Sequence, residues 1–201
     1  QSPVDENQFG SSDIIEISIA EIQSAFESGE LSAVQLVDFY IDRIDQLDPS
    51  LNSVLQINPE ARDIARQLDE ERAAGQIRSA LHGVPVLLKD NIDTADMPTT
   101  AGSFMLRDSM PPDDAFLVQQ LRQSGAIILA KLNMSEFASG DAMNSLDGAT
   151  YNPHDPERTP SGSSGGTGAA IAAVYATVGL GTDTGGSVRG PSAANGIVGL
   201  K

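Results

Sequence analysis

Between Gly162 and Arg189 the chain reads GSSGGTGAAIAAVYATVGLGTDTGGSVR, two glycine–serine knots on either side of one small-residue apolar run. The first knot is Gly162-Ser163-Ser164-Gly165-Gly166 and the second is Thr184-Gly185-Gly186-Ser187. Glycines beside a serine open backbone conformations closed to other residues and let a ligand approach main-chain N–H groups. Ala169 to Ala176 is alanine-rich and free of proline, which predicts a helix. Val178 to Thr182 predicts a short buried strand. Loop, helix, strand and loop would bring two distant serines together.

That arrangement suits acyl chemistry, which needs an activated nucleophile, a base that later protonates the leaving group, and donors for an oxyanion. No cysteine is present, so a thiolate nucleophile, a disulfide and a thiolate metal site are all excluded. His82 precedes a Gly-Val-Pro turn and His154 lies in an Asn-Pro-His-Asp-Pro loop, which supplies a histidine triad poorly. The lysines are Lys89, Lys131 and Lys201. Of these, Lys89 alone reads as closing an apolar run, Val84 to Leu88, that predicts a buried strand. Burial lowers a lysine's pKa and leaves a neutral amine able to take a proton. Lys89 is therefore the candidate base, against the ordinary alternative of a strand-end lysine reaching solvent. Asp183 and Arg189 flank the second knot and are expected to brace it, or to form a plain loop ion pair. Ser164 is expected to hydrogen-bond locally.

The knots and their flanks resemble the amidase signature family, marked by Gly-Ser-Ser-Gly-Gly followed by Asp-x-Gly-Gly-Ser-x-Arg. The likeness runs from Thr159-Pro160 to Gly199-Leu200-Lys201, and upstream to His82 through Asp90 and Lys131 through Phe137. The resemblance implies Ser187 as nucleophile, Ser163 after a cis peptide bond as proton relay, and Lys89 as base. It implies an oxyanion hole from the main-chain N–H groups of Thr184, Gly185, Gly186 and Ser187, and places Ala138 along the substrate channel. No metal or other cofactor is implied. The substrate would be a small-molecule or peptide amide. Members run to about twice this length, so the expected partner is a missing C-terminal part of the same fold. Ser192 stands where relatives of the transfer-RNA amidotransferase branch often carry cysteine, which weighs against that branch. Two other readings stay open. One is a non-catalytic scaffold or incompetent fragment that retains the signature. The other is an α/β-hydrolase elbow with Ser164 reactive, which requires a strand before it, whereas Tyr151 to Ser161 reads as a proline-broken loop.

A formal charge of −16, from 28 acidic against 12 basic residues, argues against nucleic acid as a partner, because phosphate contacts need clustered Lys and Arg. No stretch approaches the roughly 18 apolar residues of a membrane span. The first residue is Gln, which leaves the compartment open, exported or cytoplasmic. Ser18-x-x-Glu21 and Ser32-x-x-Gln35 are capping boxes opening helices near 18–28 and 32–47. Ser53 to Ile57 predicts a strand, and Pro59 predicts the first position of a helix reaching about Ala74. Further on, Asp113 or Asp114 is expected to cap a helix to Ser124, and Gly125 to Ala130 to form a buried strand. Asn133 and Glu136 should open a short helix, and Ile197 to Leu200 a final strand. The predicted fold is α/β, a mixed and mostly parallel sheet flanked by helices, incomplete, with a helical N-terminal region. Its parts are an extension over 1–17, helices over 18–78 and the signature core over 79–201.

Overall fold

The structure is a computed structural model and describes residues 17–201. Apart from Ile17, the expected N-terminal extension lies outside the described residues. Both capping boxes form. Ser18 accepts from the Glu21 N–H and Glu21 accepts from the Ser18 N–H, opening α1 (Ile19–Ser28). Ser32 and Gln35 do the same for α2 (Ala33–Leu51). Helix α2 buries Leu36, Val37, Tyr40, Ile41 and Ile44 on one face, and it runs past the expected end through Pro49. The Asp48 carboxylate then accepts from the N–H groups of Ser53 and Val54, turning the chain into β1 (Val54–Ile57).

Helix α3 (Ala61–Ala73) starts later than Pro59 predicts. Asn58 Oδ1 accepts from the Glu60 N–H, and Asn58 Nδ2 donates to the Ile128 carbonyl, so Pro59 sits in a turn locked to the sheet. Strands β2 (Pro85–Lys89) and β3 (Ile127–Leu132) are buried throughout. Helix α4 (Phe116–Gln123) has no side-chain cap; Asp114 instead accepts from the Ala95 N–H and pairs with Arg122 at 2.9 Å. A hairpin of β4 (Met143–Asn144) and β5 (Gly148–Ala149) lies within residues 139–160, whose Asp, Asn and Pro content predicts only loop.

The main sheet has the order β1-β3-β2-β6, where β6 is Val178–Leu180. Strand β3 is parallel to β2 and β2 to β6, while β1 joins β3 antiparallel. The sheet is thus mixed and mostly parallel, with helices on both faces. One face packs Leu87, Ile127, Leu129, Ala130 and Leu132 against α1, α2, α3 and Tyr175. The other packs Val86, Leu88 and Ile128 against Val118 of α4 and Met97. Central strands covered on both sides read as continuous apolar runs, as these two do.

A register shift between Val86 and Leu87 decides which way the two strand lysines face. It leaves both Leu129 and Ala130 in the first core, and it pairs Lys131 with Leu88 and Lys89 with Leu132. Because side chains alternate along a strand, Lys89 and Lys131 leave opposite faces.

Helix α5 (Gly165–Ala172) starts on the first knot itself, earlier than the alanine run predicts. Helix α6 (Arg189–Ala194), directly after the second knot, was not anticipated. The strand expected over Ile197 to Leu200 does not form. Val198 is 98% and Leu200 90% exposed, and no strand among the described residues lies beside them to pair with. Among the described residues no helix is long and apolar enough to cross a membrane, and no acidic or histidine cluster could hold a metal ion.

Candidate active site

Lys89 ends β2 and points into the space between the two knots. Its Nζ lies 2.6 Å from Ser163 Oγ, 2.8 Å from Thr182 Oγ1 and 3.5 Å from the Thr182 carbonyl oxygen. Lys89 and Ser163 are both buried, Ser163 to 2% exposure. Burial pushes the lysine pKa down to about 8, against the opposing pull of the Asp183 carboxylate. A buried amine with that pKa is uncharged in about one molecule in ten at pH 7, and in most molecules only above pH 8.

The Gly162–Ser163 peptide bond is cis. The knot is shaped by the segment after β3. The Ser135 N–H donates to the Ser163 carbonyl at 3.1 Å, and the Gly166 N–H donates to the Asn133 carbonyl at 3.1 Å. A Cβ at Gly162 would come within 2.5 Å of both the Gly140 carbonyl and Ser135 Oγ, and one at Gly166 would overlap Asn133. Asn133 is itself pinned, its Nδ2 donating to the Asn52 carbonyl and its Oδ1 accepting from Asn144 Nδ2. The glycines of this knot therefore answer to close packing against the Lys131–Phe137 block.

Asn133 and Glu136 do not form the expected capping box. Asn133 Oδ1 accepts from Met134, Glu136 accepts from Ser145, and one helical turn (Glu136–Ala138) follows. Ala138 sits at its end, exposed and with φ of 57°. Its N–H donates to Ser135, which links its turn to Ser163 without touching the lysine or either serine hydroxyl.

The second knot is organised by Asp183. Its carboxylate accepts from the N–H groups of Gly186 at 2.7 Å, Val188 at 3.1 Å and Arg189 at 3.2 Å, and pairs with the Arg189 guanidinium at 3.0 Å. The Asp183 side chain is 2% exposed, and the guanidinium with these N–H donors holds its carboxyl well below the usual carboxylate range. Gly186 has φ of 122°, a region that favours glycine. Its N–H is engaged by Asp183, whereas those of Thr184, Gly185 and Ser187 donate to no group among the described residues. Thr184 and Gly185 are exposed.

The two knots meet through backbone. The Ser164 N–H donates to the Ser187 carbonyl at 3.3 Å, and Ser164 Oγ bonds both the N–H and the carbonyl of Thr182, each at 3.3 Å. Ser187 Oγ makes no hydrogen bond among the described residues. Lys89, Ser163 and Thr182 are thus joined side chain to side chain, while Ser187 is brought alongside by its main chain. Ser164 is spent on local bonds, and no strand leads directly into the first knot, β5 having ended at Ala149, so the hydrolase-elbow arrangement is not built here.

Sequence reasoning missed Thr182 and Asn91, whose Nδ2 donates to Thr182 Oγ1 at 3.1 Å. The available signal was a hydroxyl at the end of a predicted strand, one residue before Asp183. Both histidines are structural, His82 Nε2 bonding the Leu68 carbonyl and His154 Nε2 that of Asn195.

Known proteins share this chain's sequence and fold. The family described as Amidase matches residues 35–201. A glutamyl-tRNA(Gln) amidotransferase subunit from Thermobifida fusca is 46% identical over 191 residues, covering 94% of this chain and 38% of that protein. The native peptide amidase from Stenotrophomonas maltophilia superposes with a TM-score of 0.87 at 42% identity, covering 90% of this chain and 39% of that one. The peptide amidase PAM in complex with the competitive inhibitor chymostatin gives a TM-score of 0.90 at 43% identity, with 92% and 40% covered. The chain spans about two-fifths of the length of these relatives. The amidotransferase and the peptide amidases are similar to nearly the same degree, so the comparisons do not bear out the expectation against the transfer-RNA branch. With the family matched from residue 35 to residue 201 and the fold shared with solved amidases, the chain belongs to the Amidase family.

Proposed function

We propose that the protein hydrolyses a carboxylic amide C–N bond through a serine acyl-enzyme, with Ser187 as nucleophile, Ser163 as proton relay and Lys89 as general base. The observation that carries the reading is the 2.6 Å contact between a buried, low-pKa lysine and a buried serine. Ser187 Oγ attacks the amide carbonyl carbon as its proton passes to Ser163 and the Ser163 proton passes to the Lys89 lone pair. The C–N bond then breaks, and the proton on Lys89 returns through Ser163 to the leaving nitrogen. Water attacks the resulting ester and releases the acid by the same route. The relay needs Ser187 Oγ to turn onto Ser163, a contact of the kind that tightens when substrate binds.

The oxyanion hole is assigned to the second knot. Thr184, Gly185 and Ser187 have N–H groups that donate to no protein group among the described residues. Gly186 contributes through its backbone shape while its own N–H serves Asp183. Asp183 and Arg189 hold the loop, and Ala138 lies on the turn beside the first knot. A small-molecule or peptide amide is the substrate class, and the remainder of the fold, contributed by further sequence, is the proposed partner.

A fluorophosphonate probe followed by peptide mapping tests the assignment. Label on Ser187 supports it. Label on Ser164, or none in the folded full-length protein, overturns it, the second result favouring a non-catalytic scaffold.

A further inference from the structure

Lys89 has three polar neighbours, Ser163 Oγ, Thr182 Oγ1 and the Thr182 carbonyl. A neutral amine has two N–H bonds and one lone pair. Proton uptake from Ser163 requires that the lone pair face the serine, which leaves both N–H bonds for Thr182. The carbonyl can only accept. The hydroxyl can also donate, and a Thr182 proton turned onto the amine would mask the lone pair.

Asn91, in the turn after β2, bears on that choice. Its Nδ2 donates to Thr182 Oγ1 at 3.1 Å. With Asn91 and Lys89 both donating, the hydroxyl oxygen has its two lone pairs engaged and its own proton directed away from the amine. The other end of the Asn91 carboxamide, Oδ1, is buried without a partner among the described residues. A buried acceptor left unpaired costs stability, so a purely stabilising role does not account for the side chain.

We propose that Asn91 is a positioning residue for the reaction, acting through Thr182 to hold the Lys89 lone pair on Ser163. The inference rests on Lys89 being the base, and the test separates the two claims.

The experiment measures the rate of fluorophosphonate labelling of Ser187 against pH in the full-length protein and in its Asn91→Ala, Asn91→Asp and Lys89→Ala variants. Asn91→Ala is expected to slow labelling about tenfold at neutral pH, with thermal stability little changed. Asn91→Asp keeps the shape but adds a negative charge beside the amine. Its acid limb is expected to move up by about one pH unit. Wild-type rate and limb in both Asn91 variants, with Lys89→Ala silent, overturn the positioning role alone. Unimpaired labelling of Lys89→Ala overturns the base assignment and the inference with it. Should Asn91→Ala fail to fold, the limb of the isosteric Asn91→Asp decides.

Discussion

Two lysines leave neighbouring parallel strands toward opposite faces of one sheet, both fully buried, and they are treated in opposite ways. Lys131 meets a carboxylate, Asp90, at 3.3 Å, and two further acceptors in Thr99 Oγ1 at 2.8 Å and the Pro98 carbonyl at 3.1 Å. Lys89 meets two hydroxyls and one long carbonyl contact, and no carboxylate. Burial lowers the pKa of each; at Lys131 it is opposed by Asp90 in direct contact, at Lys89 only by the charge of Asp183, which does not touch the amine. An ion pair makes a buried lysine part of the scaffold. Hydroxyls alone leave it free to exchange a proton.

The largest expected effect breaks the pair at its chemical end. Lys89→Ala should lower amide turnover by about 10²–10⁴-fold, the range of a positioned general base. Thermal denaturation should show no loss of fold, because no buried carboxylate loses its partner. Lys131→Met should do the reverse. It leaves Asp90 buried and uncompensated at a cost of about 3–5 kcal/mol in denaturant unfolding. The protein that remains folded should keep its rate of Ser187 labelling, and adding Asp90→Asn should recover part of the stability.

This contrast was only half legible in the sequence. Val84–Lys89 and Ala126–Lys131 are both apolar runs closed by lysine, yet the second strand was expected to stop at Ala130. Facing direction could not be read, because it depends on the register shift at Val86/Leu87, and pairing register lies in the partner strand rather than in local pattern. Capping at Ser18 and Ser32 was legible because a capping box is a local bond set. Pro59, Asp114 and Asn133 misled for the complementary reason, each having found a tertiary or neighbouring-loop partner stronger than its local role. At the site, the knots announced the serines. Thr182 and Asn91 stayed hidden because a single hydroxyl or amide acquires meaning only from what it faces.

A smaller effect appears in pH dependence. Lys89 binds its proton with a pKa of about 8 when folded and near its ordinary 10.5 when unfolded. Between those values the unfolded chain holds more protons, so the contribution of Lys89 to stability rises with pH across that window. Relative to Lys89→Met, the wild type should gain about 3 kcal/mol from pH 8 to pH 10.5 in matched unfolding curves. Turnover should share the same origin. Below pH 8 the rate should fall about tenfold per pH unit as the base takes up a proton.

The smallest effect comes from a matched pair of threonines. Thr99 accepts from Lys131 and Thr182 from Lys89, each at 2.8 Å, so valine at either position removes the same hydrogen bond from a buried lysine. At position 99 the lysine keeps Asp90 and the Pro98 carbonyl. Thr99→Val should therefore cost about 1–1.5 kcal/mol of stability and leave the labelling of Ser187 untouched. At position 182 the lost acceptor is one of three contacts on an amine without a carboxylate. Thr182→Val should show a comparable shift in unfolding midpoint together with a slower, pH-displaced labelling of Ser187. Equal kinetic behaviour of the two variants would mean that the Thr182 hydroxyl does no more than fill space beside Lys89, and the distinction between the two lysines would then rest on Asp90 and Ser163.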